Sequence, residues 1–260
     1  MPLPQPLLVF IAALVGFSFG SFGSVLLHRV AKGEMPLGRS QCPTCKVTLR
    51  AFDLVPILSF FFLQGRCRSC KEKISWRYPF LEAMTALLAT LLLVTQYSGM
   101  PPVTFFFLSV AAYLLLIIAF YDAGTQSIPD VFLTSAFLSA LLFRVLLGIE
   151  ESEALRDGFL GGAIPFLFFS ALWIGSRKQW IGSGDIFLGV TIGLLLGVKL
   201  TLLGLFLAYT GGAVIALCVI SLQGREHQRT IAFGPFLAGG ALSALFFGEK
   251  IVEWYGGFLV

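Results

Sequence analysis

The sequence predicts an all-α polytopic membrane protein that carries one small polar insert. Of its 260 residues, 57% are hydrophobic and only 12% are charged. Soluble globular domains are about 45–50% apolar and roughly 25% charged. The chain also contains a series of apolar stretches close to the 20 residues that cross a bilayer as a helix. We expect helices because lipid cannot hydrogen-bond to an exposed backbone.

Eight apolar segments are candidate transmembrane helices. The first, 7–27, has no basic residue before it and is longer than a signal-peptide core, so we interpret it as a retained helix. Only Lys199 separates 185–198 from 200–222. Together those two are too long for one span, which favours two helices with a tight turn. The remaining segments are 79–98, 102–121, 131–148, 158–175 and 231–248.

The basic residues predict the orientation of these helices. With eight spans, fourteen of the eighteen Lys and Arg residues lie on one side of the membrane, which is the cytoplasmic side by the positive-inside rule. We therefore predict a first transmembrane helix in 1–31, a cytoplasmic insert in 32–77 and a membrane core of about seven helices in 78–260. An insert of about 46 residues cannot be stabilised by a hydrophobic core alone.

Four cysteines in the insert form a pattern typical of a metal site. Two CxxC knuckles are separated by 21 residues, and their cysteines are Cys42, Cys45, Cys67 and Cys70. This spacing resembles a zinc ribbon, in which four thiolates surround one tetrahedral ion. Two disulfides or free thiols are the alternatives, and a reducing cytoplasm disfavours disulfides. A four-cysteine site is closed to substrate, so we expect structural zinc.

Acidic residues are rare in the apolar segments, and such residues are functional candidates by default. Asp122 ends the third segment, Asp130 begins the fourth, Asp185 opens the sixth, and Glu82 lies near the start of the second. The predicted topology places all four near the cytoplasmic face. Asp130 is also explained as a helix-capping acid after Pro129.

A pair of neighbouring carboxylates can catalyse hydrolysis without a covalent enzyme intermediate. Two close carboxylates do not both ionise easily, so one keeps a proton. The ionised one can take a proton from water while the neutral one hydrogen-bonds the scissile carbonyl. Gly182 and Gly184, which flank the approach to Asp185, would allow an extended substrate close to the carboxylate.

Other functions find little support in the sequence. His28 and His227 are the only histidines, and neither lies in a zinc-protease or Ser/His/Asp motif. There is no P-loop for ATP. No basic stretch is interleaved with stacking aromatics, so we expect no nucleic-acid partner. Gly16, Gly20 and Gly23 have helical spacing and predict close helix packing.

Taken in order, the motifs resemble those of bacterial type IV prepilin peptidases (leader peptidase/N-methyltransferases), which are aspartyl proteases of the GxGD type. The resemblance covers nearly the whole chain. Its motifs are Gly20-Ser21-Phe22 with Val25 and Arg29, the two CxxC knuckles, Arg77-Tyr78-Pro79-Phe80-Leu81-Glu82, Asp122 with Ile128-Pro129-Asp130, Gly182-Ser183-Gly184-Asp185, and Phe233-Gly234-Pro235-Phe236.

The resemblance implies two activities in the bacterial inner membrane. One is cleavage of the leader peptide of type IV prepilins and type II secretion pseudopilins at the cytoplasmic face, with Asp122 and Asp185 as the catalytic pair. The other is methylation of the new N-terminus by S-adenosylmethionine. We predict that Glu82 faces the insert or the first helix and helps form a methyl-donor or substrate-amine site, the alternative being an ion pair with Arg77 or Arg29.

Two positions depart from the family pattern. Members commonly have Asn where this chain has Ser24, and many have Lys where it has Phe187. The first bears on the methylation site or first-helix packing, and the second on substrate contacts near Asp185. A non-catalytic membrane scaffold or transporter with a structural zinc site is the alternative function, and it does not require Asp122 and Asp185 to meet.

Overall fold

The computed structural model describes residues 4–35, 38–223 and 232–257. His227 lies outside these residues, as do Arg225 and Arg229, two of the fourteen basic residues on the predicted cytoplasmic side. The described chain forms two compact units, Met1–Ser98 and Gly99–Val260. The predicted division into 1–31, 32–77 and 78–260 stays a prediction.

The all-α membrane fold is confirmed. Among the described residues, seven helices are long and apolar enough to cross a membrane. Apart from two isolated β-bridges in the insert, the regular elements of the described chain are helical. The helices are α1 (Gln5–Val30), α2 (Leu58–Phe62, short), α3 (Arg77–Gln96), α4 (Pro102–Thr125), α5 (Asp130–Glu150), α6 (Ser152–Gly175), α7 (Ser183–Gln223) and α8 (Gly234–Gly256).

In the first unit, α1 packs directly on α3, and glycines make the close approach possible. A Cβ atom on Gly16 would lie 2.6 Å from the Cα atom of Ala86, and one on Gly20 would lie 2.5 Å from the Cα atom of Glu82. The packing role predicted for these glycines is confirmed. The insert between α1 and α3 contains a 3₁₀ turn, Ala51–Leu54, followed by α2.

In the second unit, α7 packs against α5, α6 and α8, while α4 packs against α5 and α8. The long helix α7 is broken at Gly197, whose φ of 75° and ψ of 178° are not helical. Residues 183–196 therefore form a helical segment of about 21 Å at 1.5 Å per residue. Asp185 and Tyr209, on either side of this glycine, interact although 24 positions separate them, so the two parts of α7 lie alongside each other. The eight predicted spans thus correspond to seven long helices, one of which, α7, consists of two segments joined by a turn at Gly197.

Candidate active site and metal centre

Asp122 lies in the last turn of α4 and is buried, with 5% of its surface exposed. The backbone N–H of Gly234 donates a hydrogen bond of 2.9 Å to its Oδ2 atom. Gly234 is the first residue of α8, and N–H groups at a helix start have no partner within their own helix. A Cβ atom on residue 234 would lie 2.6 Å from this carboxylate oxygen, so glycine is required for the contact.

Asp185 lies in the first turn of α7, at the other end of the short segment 183–196. The N–H of Gly182 donates a hydrogen bond of 3.1 Å to its Oδ2 atom. Gly184 packs near Ile128, where an added Cβ would lie 3.4 Å from the Ile128 side chain. The glycine motif therefore supplies a backbone donor and brings the start of α7 against the connection between α4 and α5.

The fold brings the two aspartates together although 63 positions separate them in the sequence. Their carboxylates are near enough for their charges to interact. Each accepts a hydrogen bond from a glycine N–H, and neither forms an ion pair among the described residues. Asp130, by contrast, is exposed at the first residue of α5, where a carboxylate stabilises a helix N-terminus.

An aromatic cluster beside the aspartates was not singled out in the sequence. Tyr209 of α7 lies 5.1 Å from Phe233 between ring centroids, and Phe233 immediately precedes the Gly234 that contacts Asp122. Tyr209 also interacts electrostatically with Asp185. The phenylalanine was part of a recognised motif, but one tyrosine in an apolar helix carries no sequence signal of its own.

The four predicted cysteine ligands converge in the insert. Their sulfur atoms all lie within 4.8 Å of one another, and those of Cys42 and Cys70 are 3.8 Å apart. Four sulfurs at about 2.3 Å from a tetrahedral zinc ion would be separated by about 3.8 Å. The donor set and its spacing therefore fit a metal ion, and zinc suits four thiolates.

Each CxxC knuckle is built by the same tight turn. The N–H of Lys46 bonds to the carbonyl of Cys42, and that of Lys71 bonds to the carbonyl of Cys67. Both lysines have a φ of 60°, which closes the turn around the thiols. The backbone N–H groups of Cys45 and Thr44 lower the pKa of the Cys42 thiol to about 6, which favours the metal-binding thiolate.

A cation would also resolve the electrostatic conflict among the four thiols. The backbone N–H of Glu72 lowers the pKa of Cys70, but desolvation and the neighbouring thiols outweigh it and raise that pKa to about 12. Without a positive ion, the cluster therefore does not hold four thiolates at neutral pH. A divalent metal removes this penalty because it binds the deprotonated sulfurs.

Glu82 lies on a cavity of about 370 Å³ within the first unit. Its side chain is buried, and its Oε2 atom accepts a hydrogen bond of 2.7 Å from the N–H of Ile57 in the insert. Ser21 of α1 is a second hydrogen-bond partner. Glu82 therefore faces both the insert and the first helix. Ile57 has a φ of 59°, a conformation that β-branched residues rarely adopt.

Ser24, noted above as a departure from the family pattern, lines the same cavity. It is buried, and its hydroxyl oxygen has no hydrogen-bond partner among the described residues. Buried polar atoms are usually satisfied. The combination of a buried carboxylate, an unpartnered hydroxyl and an adjacent cavity fits a polar ligand better than simple helix packing.

Comparison with known proteins finds two matching family models, one within each unit of the chain. The Bacterial Peptidase A24 N-terminal domain matches residues 14–96, and the Type IV leader peptidase family matches residues 109–217. A prepilin leader peptidase/N-methyltransferase of Aeromonas salmonicida is 31% identical over 84% of this chain and 74% of its own length. The chain belongs to the type IV leader peptidase family.

Other members of this family match over similar or greater lengths. A prepilin leader peptidase/N-methyltransferase of Bacillus subtilis is 34% identical over 84% of this chain and 85% of its own. An Escherichia coli type 4 prepilin-like proteins leader peptide-processing enzyme is 30% identical over 94% of this chain and 95% of its own. No solved structure matches the chain significantly. Within this leader peptidase, the first matched region contains the cysteines and Glu82, and the second contains both aspartates.

Proposed function

We propose that this protein is a membrane endopeptidase that removes the leader peptide of type IV prepilins and pseudopilins and methylates the new N-terminus. Membership of the type IV leader peptidase family and the names of its relatives support this assignment. The observation that carries the peptidase chemistry is the placement of Asp122 and Asp185 at helix ends within range of each other's charge. A scaffold or transporter has no need of this arrangement.

The chemistry we propose is aspartyl hydrolysis by a pair that shares one proton. The ionised carboxylate accepts a proton from water as the water oxygen bonds to the scissile carbonyl carbon. The protonated carboxylate hydrogen-bonds the carbonyl oxygen, and the proton taken from water passes to the leaving amine as the C–N bond breaks. The N–H groups of Gly182 and Gly234 hold the carboxylates in place.

The substrate would reach this site from the cytoplasmic side of the bacterial inner membrane. The excess of Lys and Arg in the insert supports a cytoplasmic location of residues 32–77. The bilayer solvates the apolar surfaces of the helices. Leader peptides of prepilins or pseudopilins would enter at the start of α7, beside Gly182 and Gly184.

The four cysteines would hold a structural zinc ion that fixes the insert against α1 and α3. The cavity lined by Glu82 and Ser24 would hold the methyl donor or the substrate amine. S-adenosylmethionine supplies an electrophilic methyl group on a cationic sulfonium, and a buried carboxylate favours such a cation. Glu82, Ser21 and Ser24 would bind and orient the groups that react.

The decisive experiment is cleavage of a prepilin by variants of the full-length protein. We expect Asp122→Asn and Asp185→Asn to insert and fold normally but to leave the leader peptide in place, as read by mass spectrometry. Asp130→Asn is the matched control and should retain clear activity. Robust cleavage by either the Asp122→Asn or the Asp185→Asn variant would refute the aspartyl mechanism.

A further inference from the structure

Arg144 is a buried cation in the middle of the membrane unit. It lies on α5 with 5% of its surface exposed. It is one of the four Lys and Arg residues that the predicted eight-span topology leaves on the external side. A charged side chain at such a position is expensive unless its donors are satisfied, so its contacts indicate why it is present.

The partners of Arg144 lie at the break in α7. Its Nε atom donates to the carbonyl of Leu194 at 2.7 Å, and its Nη2 atom donates to that of Leu195 at 3.1 Å. Its Nη1 atom donates to the carbonyl of Ala154 at 3.3 Å and lies 3.8 Å from Oδ2 of Asp157. The guanidinium therefore reaches both α7 and the first turns of α6.

Asp157 completes the arrangement from the other side of the break. Its Oδ1 atom accepts a hydrogen bond of 3.1 Å from the N–H of Val198. In an unbroken α-helix, this N–H would bond to the carbonyl of Leu194, four residues earlier. Arg144 and Asp157 thus bind the acceptor and the donor of a helical hydrogen bond that the break at Gly197 opens, and Arg144 also binds the next carbonyl, that of Leu195.

Two glycines make room for this ion pair. A Cβ atom on Gly158 would lie 2.5 Å from Cγ and Nε of Arg144. A Cβ atom on Gly197 would collide with the carboxylate of Asp157, and its φ of 75° also favours glycine. The break is therefore built from several residues of α5, α6 and α7 together.

We propose that the Arg144–Asp157 pair is a positioning device that keeps α7 broken at Gly197 and thereby holds Asp185 at the correct distance from Asp122. This inference rests on the catalytic role proposed above for Asp185. Without the pair, the carbonyls of Leu194 and Leu195 and the N–H of Val198 lose these partners. The turn at Gly197 then loosens, and the segment 183–196 shifts relative to the helices that hold Asp122.

The expected displacement at the active site is large in relation to catalytic geometry. Asp185 lies twelve residues before Gly197, or about 18 Å along a helix. A rotation of about 10° at the break would therefore move Asp185 by about 3 Å. Displacements of about 1 Å can lower rates by about 100-fold.

The test compares ion-pair variants of the full-length protein with a control at the same break. Arg144→Met removes all donors, and Arg144→Lys keeps the charge but not the fork of donors. Asp157→Asn keeps an acceptor for Val198. The control is Lys199→Met, which removes the exposed ion pair of 2.6 Å between Lys199 and Glu249, two residues after the break.

We expect Arg144→Met to lower kcat for leader cleavage at least 10-fold with KM changed less than 3-fold. Arg144→Lys should recover part of the loss, Asp157→Asn should lose less than Arg144→Met, and Lys199→Met should stay within 2-fold. Spin labels at the exposed positions Ala123 and Phe187, one and two residues after the two aspartates, should show a changed or broader distance distribution in Arg144→Met, a smaller change in Asp157→Asn and the native distribution in Lys199→Met.

The distance measurement separates this proposal from the proposed catalytic function. An unchanged distance in Arg144→Met, or an equal change in Lys199→Met, overturns the positioning role whatever the activities are. A changed distance together with an active Asp185→Asn enzyme supports the positioning of α7 but overturns the catalytic assignment. If Arg144→Met does not fold, the same distance is measured in Asp157→Asn and Gly197→Ala, and native distances in both overturn the proposal.

Discussion

Both units of this leader peptidase gather groups that repel one another when ionised, but they resolve the conflict in different ways. The first unit surrounds a point with four cysteine sulfurs, and a metal cation would neutralise all four at once. The second unit places two carboxylates within range of each other's charge, and their hydrogen-bond donors among the described residues are glycine N–H groups. A shared proton is then the simplest compensation.

The difference determines what each centre can do. A tetrahedral shell of four thiolates leaves no position for substrate, so the cysteine centre can stabilise a fold but not perform hydrolysis. In the mechanism proposed above, the aspartate pair shares a proton that it can transfer, which hydrolysis requires. Substitution of one residue should therefore have different consequences in the two units. Loss of one aspartate should leave the second unit folded but inactive, whereas loss of one cysteine should loosen the insert of the first unit.

The largest effect is expected from the aspartate pair. If Asp122 and Asp185 act as one catalytic unit, as proposed above, the losses should not add. Asp122→Asn, Asp185→Asn and the double variant should each reduce kcat/KM for leader cleavage by roughly 1,000-fold or more, to a common background. Thermal unfolding in detergent should be little changed in all three. A double variant far below both single variants would show that the two carboxylates act independently.

The metal centre should show the reverse pattern. Cys67→Ser should lower the zinc content from about one ion per chain and loosen the insert, since metal binding contributes folding free energy. Protease protection of the insert and metal analysis would measure both effects. Cys218→Ser, in the other unit, is the matched control. Purified, reduced protein that contains no zinc and yet has a folded insert would contradict the prediction.

A third substitution separates the two activities. Glu82→Gln keeps the size of the side chain and its acceptor oxygen for Ile57 but removes the negative charge. We expect N-methylation of the cleaved pilin to fall at least about 10-fold, because general acid–base or electrostatic groups commonly contribute about 100-fold or more. Leader cleavage should persist. Glu34, an exposed carboxylate of the same unit, provides the control: Glu34→Gln should change neither leader cleavage nor N-methylation, as measured by the mass of the pilin product. Unchanged methylation in Glu82→Gln would eliminate the proposed role of Glu82 in the methylation site.

The sequence predicted those features that local patterns encode. Apolar length predicted the helices, and cysteine spacing predicted the metal ligands. The motif around Gly182 predicted that Asp185 matters. The sequence did not predict the partners of Arg144. The carbonyls of Leu194 and Leu195 become available to it only because α7 is broken at Gly197 and α5 packs on α7.

Tyr209 and Glu82 show the same limit at the two proposed sites. Neither the ring contact of Tyr209 with Phe233 nor the hydrogen bond from Ile57 to Glu82 joins residues close in sequence. The strained backbone of Ile57 also has no local signal, because β-branched residues disfavour that conformation. Long-range packing decides these contacts. The sequence predicted that Glu82 faces the insert or the first helix, but it did not predict which groups the carboxylate contacts.

The smallest expected effect concerns an ion pair that supports the cysteine centre. Arg68, in the second knuckle, donates to Oδ1 of Asp53 at 2.8 Å and lies 2.7 Å from the same oxygen through Nη2. The Arg68 hydrogen bond, assisted by the N–H of Arg50, lowers the pKa of Asp53. The Arg68 side chain is half exposed, so the pair should contribute below about 1 kcal/mol.

The sign of its pH dependence follows from this lowered pKa. The contribution should be fully present above the unfolded-state pKa of Asp53, about 3.9, and should be lost as pH falls from there through the folded-state value. We therefore expect Asp53→Asn to lower the unfolding temperature of the insert slightly near pH 7. The difference from the unsubstituted protein should shrink below about pH 4. Acid weakens metal binding by thiolates in both proteins, so only their difference reports on Asp53. A difference that grows in acid would show that Asp53 supports the insert through its shape and not through its charge.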